Sequence, residues 1–283
     1  MLYVVIALAS GLVWGVGDFA GGKATQRAAA LPVVWLSKLA SLPLLAIYLL
    51  ATYVPISSIG LAWGGLAGVA GVIGLVLFYR ALSAGAMTVV APVTGVTSAA
   101  IPVSVGLLAG ERPSGLQLVG VACALLAIAL VSISPHPSGN RRAVTWRLVA
   151  VAVGAGIGFA LFFILIAVAG DAAGGSPGLW PIAGSQLSAL IIGGLLLMMT
   201  RPAPWPHQAG LVWTMVAGPC DMTANALYLV ATRHGDLSVV APLAALYPVT
   251  TVILALIIDQ ERLRGIQVAG LAFAVAALVL VSG

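Results

Sequence analysis

The chain repeats itself. Shifted by 150 positions, the segment Leu77–Ser132 lies over Leu227–Ser282 without a gap. Val89-Val90-Ala91-Pro92 falls on Val239-Val240-Ala241-Pro242, Glu111-Arg112 on Glu261-Arg262, and Gly115, Gln117 and Gly120 on Gly265, Gln267 and Gly270. Upstream, Trp63 and Gly68 meet Trp213 and Gly218 at the same offset, while Pro32 and Trp35 meet Pro177 and Trp180 at an offset of 145. A unit of about 140 residues is too long for a solenoid. In a very apolar chain it points to a duplicated membrane bundle, the plan by which many transporters place two halves around a midplane site.

The chain is that apolar. Of its 283 residues 61% are hydrophobic and 7% charged, where a soluble domain carries about 25% charged residues. Mean hydropathy is +1.16. A water-soluble protein of this size cannot hide so much apolar side chain, so the bilayer is the expected solvent and partner. The net charge of +5 is spread singly over short loops, which argues against nucleic acid. Cys123 and Cys220 sit deep in apolar runs and imply neither a disulfide nor a metal site.

Ten runs are long enough to span a bilayer. They are approximately 2–22, 32–53, 58–82, 86–108 and 115–134, then 146–169, 178–200, 209–232, 236–258 and 265–282. The first continues to the polar Asp18 with no basic residue before it, so it reads as a helix and not a secretory signal. The expected fold is an all-α integral membrane protein of ten transmembrane helices. Its parts are a first five-helix repeat over 1–137, a linker over 138–145 and a second repeat over 146–283. Five crossings per repeat is an odd number, so the second repeat enters the membrane inverted. Lys23, Arg27, Arg80, Arg141, Arg142, Arg147, Arg201, Arg262 and Arg264 gather toward the face of the odd-numbered loops, and only Arg112 and Arg233 toward the other. The positive-inside rule then places both termini outside and the linker in the cytoplasm.

Trp14-Gly15 in the first span, the Val-Val-Ala-Pro openings of the fourth and ninth, and Glu-Arg before the fifth and tenth resemble the EamA-type drug/metabolite transporter superfamily. The resemblance implies a ten-helix permease of the plasma or bacterial inner membrane, a secondary transporter that exports amino acids, other metabolites or toxic compounds. It implies no enzyme activity and no cofactor. Many relatives keep both termini in the cytoplasm, opposite to the charge count, and the charge count is retained here. Gly158-Phe159 stands where the second repeat would have its own Trp-Gly, so the two entrances differ chemically.

An ionisable group at the centre of a spanning helix costs at least about 2.5–3.5 kcal/mol. Asp221, near the middle of the eighth span, is therefore the leading candidate for solute binding or proton coupling. Asn225, Tyr228 and Thr232 continue its stripe at helical spacing, whereas the matching stripe of the third span, Gly71, Leu75, Phe78 and Leu82, is apolar. The competing reading is a protonated Asp acting as interhelical glue. Asp18 and Lys38 have similar depths in neighbouring spans, which suggests an ion pair, although Lys38 can also snorkel to the interface. Trp14 shares a helix face with Ser10 and Asp18 and is a candidate surface for an organic solute. Pro92 and Pro242 each free a carbonyl four residues back, at Thr88 and Ser238, and mark the fourth and ninth spans as kinked, gate-forming helices. Thr94 and Thr97 in one, and Tyr247 in the other, add hydrogen-bonding groups to the expected cavity wall. Glu111 and Glu261 read as charges in turns without a solute role.

The function expected is a permease moving a small organic metabolite by alternating access, with protons as a candidate coupling ion and a second copy of the chain as a candidate partner. A flippase for a lipid-linked substrate is the nearest alternative. A non-transporting assembly protein and an intramembrane aspartyl protease are more distant. Gly15-Val16-Gly17-Asp18 fits the short Gly-x-Gly-Asp string of those proteases, but their companion motifs are not evident. No His-Glu-x-x-His occurs, so a zinc protease is not supported.

Overall fold

In a computed structural model, the description covers residues 1–26, 28–83, 87–133, 145–172, 178–200, 204–260 and 264–282. Glu261, Arg262, Arg141, Arg142 and nearly all of the expected linker lie outside them. The described chain is helical, with no strand among the described residues. Lipid offers no hydrogen-bond partner, so each spanning segment satisfies its own backbone by coiling. The first half contributes α1 (Leu2–Thr25), α2 (Ala30–Thr52), α3 (Ser58–Ser83), α4 (Met87–Leu108) and α5 (Gly115–Val131). The second contributes α6 (Trp146–Ala172), α7 (Trp180–Met199), α8 (Gln208–Thr232), α9 (Leu237–Ala244), α10 (Tyr247–Ile258) and α11 (Gly265–Ser282).

Among the described residues eight segments are long and apolar enough to cross a membrane, with α9 and α10 counted as one, Leu237–Ile258. Of the other two, α5 is apolar but short, and α8 carries Asp221 and Asn225. The start of α5 is fixed by a capping box in which Ser114 Oγ accepts from Gln117 N and Gln117 Oε1 accepts from Ser114 N. Its counterpart Gln267 accepts from Arg264 N at the start of α11. The glutamines of the repeated motif are thus helix-starting residues.

The halves interleave. Helix α1 packs chiefly on α8, α3 on α6 and α7, α2 on α8, α4 on α6, and α5 on α11. These contacts occur in matched pairs. A Cβ built on Gly120 would lie 2.6 Å from Val281 Cγ2, and one on Gly270 would lie 2.6 Å from Val131 Cγ2. Gly11 meets the Ala244 carbonyl as Gly156 meets that of Thr94, and Gly68 rests on Ser185 as Gly218 rests on Ser37. Gly120 opens α5 while Val281 ends α11, so the two helices run antiparallel. The axis relating the halves therefore crosses the helices instead of running along them. Small residues at these crossings let the backbones touch, which is the usual basis of helix association in lipid.

One expectation needs correction. The single ninth span is two helices, broken at Ala245 and Leu246. Pro248 lacks an N–H for the Ala244 carbonyl, and the chain turns through a three-residue Leu246 N to Leu243 O bond at 3.2 Å before α10 resumes. The break lies three residues beyond Pro242, not at it. Ser98 occupies the position equivalent to Pro248, and α4 stays continuous despite Pro92 and Pro102.

Candidate functional site

Three ionisable groups of the spanning helices, Asp18, Lys38 and Asp221, converge at the meeting of α1, α2 and α8. Gly218 carries no side chain, so α8 lies directly on the α2 backbone at Ser37. One residue further along α2, the Lys38 ammonium is bonded to Asp221 Oδ2, in an ion pair that is partly exposed on both sides. This corrects the expected pairing. Lys38 joins Asp221, not Asp18, because α2 packs on α8 and makes little contact with α1. On the other flank of α8, Gly17 of α1 abuts Cys220, with Asp221 N 3.5 Å from the position of a Cβ. That contact holds Asp18 beside the pair, where it repels Asp221 and interacts with Tyr247 of α10. No salt bridge to Asp18 occurs among the described residues. Two carboxylates thus stand near one ammonium, which is bonded to Asp221 alone.

Access to this cluster differs along α1. Gly11, Trp14, Asp18 and Gly22 form one helical stripe. Gly11 and Trp14 are buried, whereas Asp18 and Gly22 are exposed. On the buried half, α9 and α10 close over the helix, with the carbonyls of Leu243 and Ala244 against Gly11 and Tyr247 and Thr250 against Gly15. We call the end where α1 begins and α11 finishes the terminal face; there Gly235 lies against the Tyr3 ring and Gln117 donates to Tyr3 Oη at 3.1 Å. Toward this face α9 and α10 cover the α1 stripe, and toward the opposite face its residues are exposed.

The closure is aromatic. Trp14 meets Phe163 edge-on with centroids 5.4 Å apart, and Tyr228 lies 5.0 Å from Phe163 and 5.9 Å from Trp14. Tyr228 is fully buried and donates its hydroxyl to the Phe163 carbonyl at 3.2 Å. Trp14 and Tyr228 therefore form a floor beneath the charged cluster in this conformation. Between floor and cluster lies Asn225, whose Nδ2 donates to the Asp221 carbonyl at 2.6 Å. Its Oδ1 is buried with no hydrogen-bond partner among the described residues. Ser10 of α1 ties the same level together by donating to the Ala224 carbonyl at 2.8 Å.

The remaining candidates are dispersed. Thr94 is buried and donates to the Ala152 carbonyl of α6 at 3.0 Å, and Thr97 packs on Gly156 one turn along. Both serve the α4–α6 crossing, whose counterpart at the α1–α10 crossing includes Tyr247. Pro92 is half-buried in the first turns of α4 and Pro242 buried within α9. Sequence reasoning overlooked Gln186 of α7, a buried amide that donates to Ser41 Oγ at 2.6 Å while Ser41 donates to the Lys38 carbonyl. It is the one amide in a span without charged residues, and that was the available signal. Glu111, read as a turn charge, is half-buried and accepts from Leu237 N and Ser238 N, both at 2.8 Å.

An integral membrane bundle of two matched halves, with its charges gathered where the halves cross, defines the class. The EamA-like transporter family matches residues 1–133 and 146–283, and the chain belongs to that family. One solved crystal structure is similar over 100% of this chain and 98% of its own, with a TM-score of 0.80 at 15% identity, a likeness of fold alone. No curated protein is a match.

Proposed function

We propose that the chain is a ten-span secondary transporter with inverted repeats, which exports a small organic metabolite across the plasma or bacterial inner membrane by alternating access. What supports this is Asp18, an exposed carboxylate within a spanning helix, beside an ion pair that neutralises Asp221 alone. Such a group is costly in lipid and persists where it faces a wet path or a partner. Two carboxylates and one ammonium leave one negative charge, which one proton or one positively charged group of a solute can neutralise. Exchange of the two at the cluster would couple export to protons, and Lys38 can pass from Asp221 to Asp18 as the occupant changes. With both termini outside, as the loop charges favour, the open face is cytoplasmic, the side from which an exporter loads. The apolar groove between α3 and α6, lined by Leu66, Ile73, Ile157 and Leu161 among others, offers no polar wall for a lipid headgroup and does not favour a flippase.

The test is solute flux in proteoliposomes across a pH series, with the solute chosen from a growth-toxicity panel of cells with and without the protein. Asp18→Asn and Asp221→Asn should fold and bind solute but lose the pH dependence of net transport. Wild-type flux and pH response in both variants would reduce the cluster to interhelical glue.

A further inference from the structure

Glu111 belongs to the turn after α4, in the first half, yet its carboxylate binds the second half. Each oxygen accepts a backbone N–H from the first turn of α9, Leu237 and Ser238, at 2.8 Å. The N–H groups at a helix start have no partner within the helix and sit at the positive end of its dipole, so an anion there makes strong, charge-assisted bonds. Gly106 of α4 makes the approach possible. A Cβ at this position would overlap Glu111 Oε2 and lie 2.9 Å from Ser238 N.

The element held is suited to move as a unit. Helix α9 spans 8 residues, is buried from Ser238 to Ala244, and is separated from α10 by the break at Ala245 and Leu246. Its far end carries the carbonyls that close over Gly11. Moving α9 away therefore uncovers the terminal-face half of the α1 stripe.

The device is one-sided. In the second repeat the residue equivalent to Gly106 is Leu256, near the end of α10 on the opposite face. A leucine side chain stands there where the first repeat leaves a bare backbone. At that face a different tie, the Lys23–Asp259 ion pair, joins the ends of α1 and α10.

We infer that Glu111 is the latch of the terminal-face gate: its carboxylate holds the start of α9, and the path opens at that face when the two part. The inference rests on the alternating-access reading above. It is tested on the full chain in nanodiscs, with Cys123 and Cys220 replaced by Ala and spin labels on Ala109→Cys and His234→Cys. The unaltered latch should give one short distance and slow amide exchange at Leu237 and Ser238. Glu111→Gln, which loses one acceptor and the charge, and Gly106→Ala, which keeps the carboxylate but denies it room, should each raise the long-distance population and the exchange rate about tenfold or more. If Glu111→Gln fails to fold, Gly106→Ala carries the test. A short distance and slow exchange in the folded variants overturn the latch. Neither readout needs a solute, so widened distances without any flux count against transport and leave the latch standing, while unchanged distances with normal flux remove the latch alone.

Discussion

The Lys38 ammonium of α2 is bonded to Asp221 of α8, and the same two helices touch backbone to backbone at Ser37 and Gly218. The ion pair depends on the glycine, because a Cβ at Gly218 would lie 3.1 Å from Ser37 Cα and 2.8 Å from Ser37 C.

Gly218→Val should therefore force α2 from α8 and cost about 1–3 kcal/mol by overpacking. Gly68→Val disturbs the matching Ser185 contact and should cost a similar amount. Thermal unfolding in detergent compares the two. Only the first should also alter the pH response of transport, since only the first separates Lys38 from Asp221; equal effects on transport would show that the pair is irrelevant to it.

Removing one member of the pair strands the other charge. Lys38→Ala and Asp221→Ala should each destabilise by about 1–2 kcal/mol, less than for a fully buried pair because water reaches both groups. The double variant should cost at least about 0.5 kcal/mol less than the sum. A strictly additive cycle, with the same cycle run on Asp18 and Lys38 showing coupling instead, would restore the pairing that depth alone suggested.

Tyr228→Phe removes one buried hydrogen bond to the Phe163 carbonyl and should lower stability by about 0.5–1.5 kcal/mol. Flux should stay near the wild-type level, since the ring that closes the floor is kept. Loss of solute affinity with unchanged stability would move Tyr228 from the floor into the binding site.

Asp236 at the start of α9 has its carboxyl pushed above the ordinary range, first by burial and then by Glu111. The folded state thus binds this proton more readily than the unfolded chain, and the stability that Asp236 allows falls as pH rises through the carboxylate range. Asp236→Asn should stabilise the protein at neutral pH by no more than about 0.5 kcal/mol, because the group is exposed, and the gain should vanish in acid. Paired melting curves at acid and neutral pH decide it; a gain that persists in acid would have another origin.

For orientation, impermeant thiol reagents on single-cysteine variants should label Ser138→Cys only from the cytoplasm and Ser282→Cys only from outside. The reverse pattern would put both termini in the cytoplasm.

The repeat, the helical class and the depth of Asp221 were legible because duplication, hydropathy and the cost of buried charge act locally along the chain. Which carboxylate Lys38 would choose was not, since that depends on α2 lying on α8 and not on its neighbour α1. The clue was present in Gly218, a bare position matched by Gly68 in the other repeat, but a glycine does not name its partner. Gln186 and Glu111 were passed over for a related reason. Their partners, Ser41 and the first turn of α9, are 145 and 126 residues away, and only the interleaving of the halves brings them near.

That interleaving has a bearing on biogenesis. Helix α1 leaves the ribosome well before its chief companions α8, α9 and α10, which are made some two hundred residues later. Until then Ser10 lacks the Ala224 carbonyl and Gly11, Gly15 and Gly17 lie bare toward lipid or toward whatever shelters a nascent span. Neither half can mature alone and then dock, because each supplies surfaces that only the other completes. A helix made early is thus among the last to be enclosed, and assembly becomes cooperative only once the second repeat has arrived.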